Sequence, residues 1–106
     1  GAFPFWLSPV QARVLTINES VVGYAKEVEQ ELRKREIRVE LDMRNESLNK
    51  KIREAELQKI PYLLIVGEKE KGGRTVNVRE RGAQQKLSQS ITDFLQDIIK
   101  KLESGS

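Results

Sequence analysis

Ile60-Pro61-Tyr62-Leu63-Leu64-Ile65-Val66-Gly67 is the most apolar stretch of the chain. An apolar run of five residues, bounded by proline and glycine, is too short for a buried helix and predicts a central β-strand covered on both sides. Pro61 biases Ile60 away from the helical region, so the element before the strand must end there. On the far side, Gly67 to Arg74 reads as a polar turn around Gly72-Gly73. Thr75 to Glu80 then alternates, with Val76 and Val78 on one face and Asn77 and Arg79 on the other. The two strands in succession predict a hairpin, so the second runs antiparallel to the first.

Before the central strand, Leu48 to Lys59 places Leu48, Ile52 and Ala55 at helical spacing, and Asp42 to Ser47 is a polar loop ahead of it. Ile37 to Leu41 alternates as a half-exposed strand. Val21, Tyr24, Ala25, Val28 and Leu32 form a helical stripe, with Asn18 or Ser20 available as its cap. Val10 to Ile17 reads as a strand buried on both faces. Phe3 to Pro9 carries two prolines and reads as an extended lead-in, with Trp6 packed. At the other end, Ile91, Leu95, Ile98 and Leu102 make an inward helical stripe that opens on Ser90-Ile91-Thr92-Asp93, where Ser90 can accept from the Asp93 amide. The order is strand, helix, strand, helix, strand, strand, helix. Such alternation implies a largely parallel sheet with helices on both faces.

Composition narrows the function classes. The chain has 106 residues, the size of one domain. Residues 1–103 are expected to form it, with 104–106 a disordered tail or cloning scar; Gly1, in place of methionine, suggests an excised fragment. There is no cysteine and no histidine, which removes thiolate metal sites, cysteine nucleophiles and the commonest general base. No glycine-rich turn opens a helix, so no nucleotide-binding fingerprint is present. No apolar run approaches the ~18 residues of a membrane span, and no signal peptide is visible. Net charge is +3, with nine basic residues between Arg33 and Lys59: Arg33, Lys34, Arg35, Arg38, Arg44, Lys50, Lys51, Arg53 and Lys59. Composition alone leaves two readings of this stretch open, a phosphate-facing patch and a solvated surface balanced by neighbouring acids.

An ordered set of segments resembles one family. Pro4 to Gln11, Asp42-Met43-Arg44-Asn45-Glu46, Lys51-Ile52-Arg53-Glu54-Ala55, Ile60-Pro61-Tyr62, Val66-Gly67-Glu68-Lys69-Glu70 and Thr75-Val76-Asn77-Val78-Arg79 are similar, in that order, to the C-terminal anticodon-binding domain of threonyl-tRNA synthetases. Asn49 and Lys50 depart from the glycine and aromatic residue more frequent in bacterial members. Ala83 to Gln89 departs from a more glycine-rich loop. The resemblance implies an α/β fold, with a mixed, mostly parallel sheet of about five strands and three helices packed on its faces. It also implies transfer RNA as partner, no catalysis and no cofactor in this domain. ATP and any zinc would belong to a catalytic domain outside the chain. The fragment would be monomeric, its parent a homodimer and its location cytoplasmic.

Threonine anticodons end in guanine and uridine. The resemblance implies that Glu70 and Arg79 read the guanine, whose edges suit a carboxylate and an arginine fork. It assigns Asn45 to the uridine, whose edge needs a group that both donates and accepts. Arg53 and Lys59, on one helix, would hold backbone or base. Strand pairing would bring Glu70 and Arg79 together if they flank the hairpin near its turn. Each residue also has a plain role open to it. Asn45 can cap or turn a loop, Glu70 and Arg79 can form a surface ion pair, and Arg53 can pair with Glu56. The other function class that fits is a non-catalytic α/β interaction or scaffold domain that keeps this fold without reading an anticodon.

Overall fold

The computed structural model describes residues 7–81 and 86–104. β1 (Ala12–Thr16) leads through a 3-10 turn (Glu19–Val21) into α1 (Val22–Lys34), then β2 (Val39–Asp42), α2 (Leu48–Leu57), β3 (Tyr62–Val66), α3 (Glu68–Gly73), β4 (Thr75–Glu80), β5 (Lys86–Ser90) and α4 (Ile91–Ser104). The sheet has five strands in the order β2-β1-β3-β4-β5. β1 pairs in parallel with β2 and β3, and β4 runs antiparallel to both β3 and β5. The mixed, mostly parallel α/β sheet is as expected.

Two apolar layers hold it. On one face Ala12, Val14, Tyr62, Leu64, Val66, Val76 and Val78 pack with Tyr24, Ala25, Val28 and Leu32 of α1 and with Phe94, Leu95 and Ile98 of α4. On the other, Leu15, Leu63 and Ile65 pack with Ile52 and Ala55 of α2. β1 and β3 lie between the layers and are buried at every position, which is why their sequences show no alternation. Each fully buried aliphatic or aromatic side chain contributes about 1.5–3 kcal/mol.

The connections differ from expectation in three places. Glu68 to Gly73 is a short helix and not a turn. Glu70 Oε1 accepts from the Gly67 N–H at 2.9 Å, the carboxylate half of a capping box, so Gly67 does open a helix. The helix stops at Arg74, which takes a left-handed conformation, φ 56°. Its guanidinium pairs with Glu27 and lies 5.4 Å over the Tyr24 ring, while Tyr24 Oη donates to the Thr75 carbonyl at 2.6 Å. Second, Lys86 to Gln89, part of the expected Ala83 to Gln89 loop, form an edge strand together with Ser90. Third, α2 ends at Leu57, before Lys59: Lys59 donates its N–H to the Glu56 carbonyl and Ile60 to that of Ala55, a two-bond helix stop. The lead-in around Trp6 lies outside the described residues. The expected division after residue 103 falls inside α4, and Gly105 and Ser106 lie outside the described residues.

Candidate nucleic-acid interface

Most of the basic stretch is already spent on internal partners. Arg33 pairs with Glu29 and also donates to the Val39 carbonyl. Lys34 pairs with Glu31, and Lys50 with Glu46. Arg38 Nε donates to the Ser8 carbonyl. Arg44 bridges Asp42 at 2.8 Å and Glu54 at 2.6 Å. Lys51 is only 2% exposed, and its Nζ donates to Thr16 O at 2.8 Å and Thr16 Oγ1 at 3.2 Å. The patch reading therefore fails for most of this stretch. Arg53, Lys59, Arg79 and Arg81 form no ion pair among the described residues. The expected alternative of Arg53 with Glu56 does not form.

Val76 and Val78 point into the α1/α4 layer, so Asn77 and Arg79 point to the opposite face. Among the described residues, the α2 core on that face takes in β1 and β3 and no residue of β4. The flanks of α2 are set by its polar contacts. Glu54 reaches Arg44, and Gln58 reaches Arg13 on the β2 side. Arg53, about 100° of helix before Glu54, lies on the exposed side of α2, away from β2. Arg81 donates its N–H to the Pro61 carbonyl at 2.7 Å, which brings the end of β4 beside the chain leaving Lys59.

Asn45 and Glu70 lie at the other end of the sheet. Asn45 is exposed in the loop that joins the C-terminal end of β2 to α2. The loop is clamped on one side by the Arg44 bridges and on the other by Ser47, whose side chain caps α2 by accepting from Lys50 N–H. Glu70 sits past the C-terminal end of β3. Arg79 pairs with Leu63 near the start of that strand. Leu63 and Gly67 are four residues apart, on the order of 13 Å of strand. The register thus separates Glu70 from Arg79, against the expectation that hairpin pairing would bring them together. Asn45, Arg53, Lys59 and Arg79 run along α2 and β4 from one end of the sheet to the other, while Glu70 stands on α3, which is tied to the α1 side where Lys71 reaches Ser20 and Arg74 reaches Glu27. Among the described residues no cluster of His, Cys, Asp and Glu could hold a metal, and no helix is long and apolar enough to cross a membrane.

Charge at the Asn45 end is set by burial and pairing. The Arg44 hydrogen bonds hold the Asp42 carboxyl below the usual value, against a smaller opposing effect of burial. Burial pushes the Lys51 ammonium down, and Asp42 partly offsets this. These groups anchor the loop and leave Asn45 as its free polar side chain. Alternation in the sequence already put Asn77 beside Arg79; Arg81 carried no signal, because its position depends on where β4 ends.

Lys59 has a backbone role besides its charge. It is left-handed, φ 59°, where a non-glycine residue is strained. Lys59→Gly is expected to raise stability by about 0.5–1 kcal/mol, read as a higher urea midpoint at unchanged slope. A lower midpoint would mean that the lysine side chain itself holds the turn.

A family described as "Anticodon binding domain" matches residues 11–101. The chain is 47% identical over 103 residues to a threonine–tRNA ligase of Clostridium novyi, covering 97% of the chain and 16% of that protein. It is 52% identical over 98 residues to one from Sulfurihydrogenibium, covering 92% and 15%. Among solved structures, the RNA binding domain of threonyl-tRNA synthetase from Cryptosporidium parvum superposes with TM-score 0.92 at 38% identity, over 95% of this chain and 26% of that one. A prolyl-tRNA synthetase of the same organism gives TM-score 0.86 at 27% identity, over 97% and 22%. The chain spans about a sixth of the length of the curated relatives it matches. It belongs to the anticodon-binding domain family.

Proposed function

We propose that this chain binds the anticodon loop of threonine transfer RNA and serves a threonine–tRNA ligase whose catalytic domain lies outside it. The observation that carries the reading is Arg79, which forms no ion pair among the described residues and stands on the face of β4 opposite the α1/α4 layer, while six of the nine basic residues between Arg33 and Lys59 are engaged by internal partners. An unpaired guanidinium on that face suits splayed single-stranded bases, which are read on their exposed edges. Arg79 reads the guanine, Asn45 and Glu70 contact bases at the other end of the sheet, and Arg53 and Lys59 hold the backbone. An extended strip suits several consecutive nucleotides better than one pocket would. Residues 1–103 act as the binding domain. ATP, any zinc and the contacts of a parent homodimer belong to the rest of the protein, which acts in the cytoplasm.

The test is titration with an anticodon stem-loop ending in guanine and uridine, against the same loop with that guanine changed to adenine, at matched salt. The change is expected to cost about 1–3 kcal/mol, and Arg79→Ala is expected to abolish the difference between the loops. Equal binding of the two loops by the unaltered chain would reduce the interface to a basic surface without readout. No binding would favour the scaffold class.

A further inference from the structure

Among the described residues, one buried side-chain polar atom has no hydrogen-bond partner: Asn77 Oδ1. Native proteins keep few such atoms, because an acceptor shut away from water and left unpaired is destabilising. Asn77 stands in the middle of β4, opposite Ile65 on β3 and Ser88 on β5, and two residues before Arg79 on the same face. Ile65 is the last residue on this face that α2 covers, and Ser88 is exposed, so Asn77 marks the border between the covered and open halves.

We propose that Asn77 is a direct RNA contact, its amide hydrogen-bonding an exposed base edge or a ribose 2′-hydroxyl of the anticodon loop. The proposal rests on the reading of this face as the anticodon interface. A carboxamide both donates and accepts, which matches base edges and the 2′-hydroxyl. Arginine, which only donates, meets just the acceptors of these groups. Among the described residues no partner holds Oδ1, so rotation about χ2 can turn either end of the amide outward toward an arriving nucleotide. The partner missing from the free protein is supplied by the ligand. Asn77 thus adds a neutral contact between Arg79 and the end of the sheet that carries Asn45.

Asn77→Val tests this with little risk to the fold, since valine suits a strand and removes the unpaired acceptor. The expected result is a urea midpoint equal to or above that of the unaltered chain, together with about tenfold weaker binding of the anticodon stem-loop. The salt dependence of binding is expected to stay the same, because no charge is removed. Loops with single base changes and loops with single 2′-deoxy substitutions then distinguish the two sources. The substitution that weakens the unaltered chain but costs the variant nothing further identifies the group contacted. If the unaltered chain binds and Asn77→Val binds equally well, Asn77 is a packing defect and the inference fails alone. If the variant weakens binding yet no loop substitution couples to it, direct contact is overturned. If the unaltered chain does not bind, the interface reading fails and this inference with it.

Discussion

Replacing Phe94 by alanine is expected to cost about 3–5 kcal/mol, the largest effect of any single truncation discussed. Phe94 is 2% exposed and meets Tyr62 edge to face, with ring centroids 5.7 Å apart at 74°. The pair joins α4 to the central strand β3, and Leu95 and Ile98 complete the same buried layer. Removing the ring forfeits its transfer energy, opens a cavity and deletes an aromatic contact of about 0.5–1.5 kcal/mol. A domain of this size holds on the order of 5–15 kcal/mol in all, so the variant should sit near its unfolding threshold at room temperature. Urea denaturation checks it, with Leu57→Ala as control. Leu57 is 75% exposed and its loss is expected to stay within about 0.5 kcal/mol. A Phe94→Ala loss below about 1 kcal/mol would mean that α4 does not dock through this residue.

Lys51→Met is expected to cost about 1–3 kcal/mol at pH 7. Methionine keeps most of the buried stem, so the loss isolates the two hydrogen bonds that the ammonium gives to Thr16. Without them the Thr16 carbonyl, at the end of β1, is left short of a buried partner. The burial cost of the ammonium works the other way, and a variant as stable as the parent would show that it cancels the bonds. The pH dependence separates the two terms. Burial holds the Lys51 pKa below its unfolded value of 10.5. Between the folded and unfolded values the unfolded chain binds the extra proton, so stability contributed by this group rises as pH increases through that window. Lys51→Met should lack this rise. Asp42 acts at the acid end. Its folded pKa lies below 3.8, so its contribution is present above that value and is lost as pH falls through the folded pKa. Because both groups flank the loop that carries Asn45, weaker loop-base binding by the Lys51 variant would show that the anchor positions the reader.

Much of the fold was legible along the chain. The helical stripes of α1 and α2, the five-residue apolar run of β3, the alternation of β4 and the Ser90 cap of α4 are local patterns, and each stands where its period placed it. Phe94 went unread because the stripe of Ile91, Leu95 and Ile98 satisfies a helix without it. That Phe94 is also inward depends on the width of the sheet face beneath α4. The short α3 was hidden by Gly72-Gly73, which read as a turn, although Gly67 and Glu70 stand at the spacing of a helix cap. β5 was hidden because an edge strand that pairs on one side needs little apolar alternation.

The sequence by itself determined the class of the fold, the order of the elements apart from α3 and β5, and the side of β4 on which Arg79 stands, because helix and strand periods and chain connectivity are local properties. Only the tertiary structure decided which cations are free and which candidates stand together. Lys51 and Arg53 are two residues apart and chemically alike, yet one is buried against Thr16 and the other is exposed. Glu70 and Arg79 are nine residues apart, yet the register sets them at opposite ends of β3. Pairing and register are set by burial and by long-range backbone hydrogen bonds, whose partners come from distant parts of the chain, and so no local window of sequence contains them.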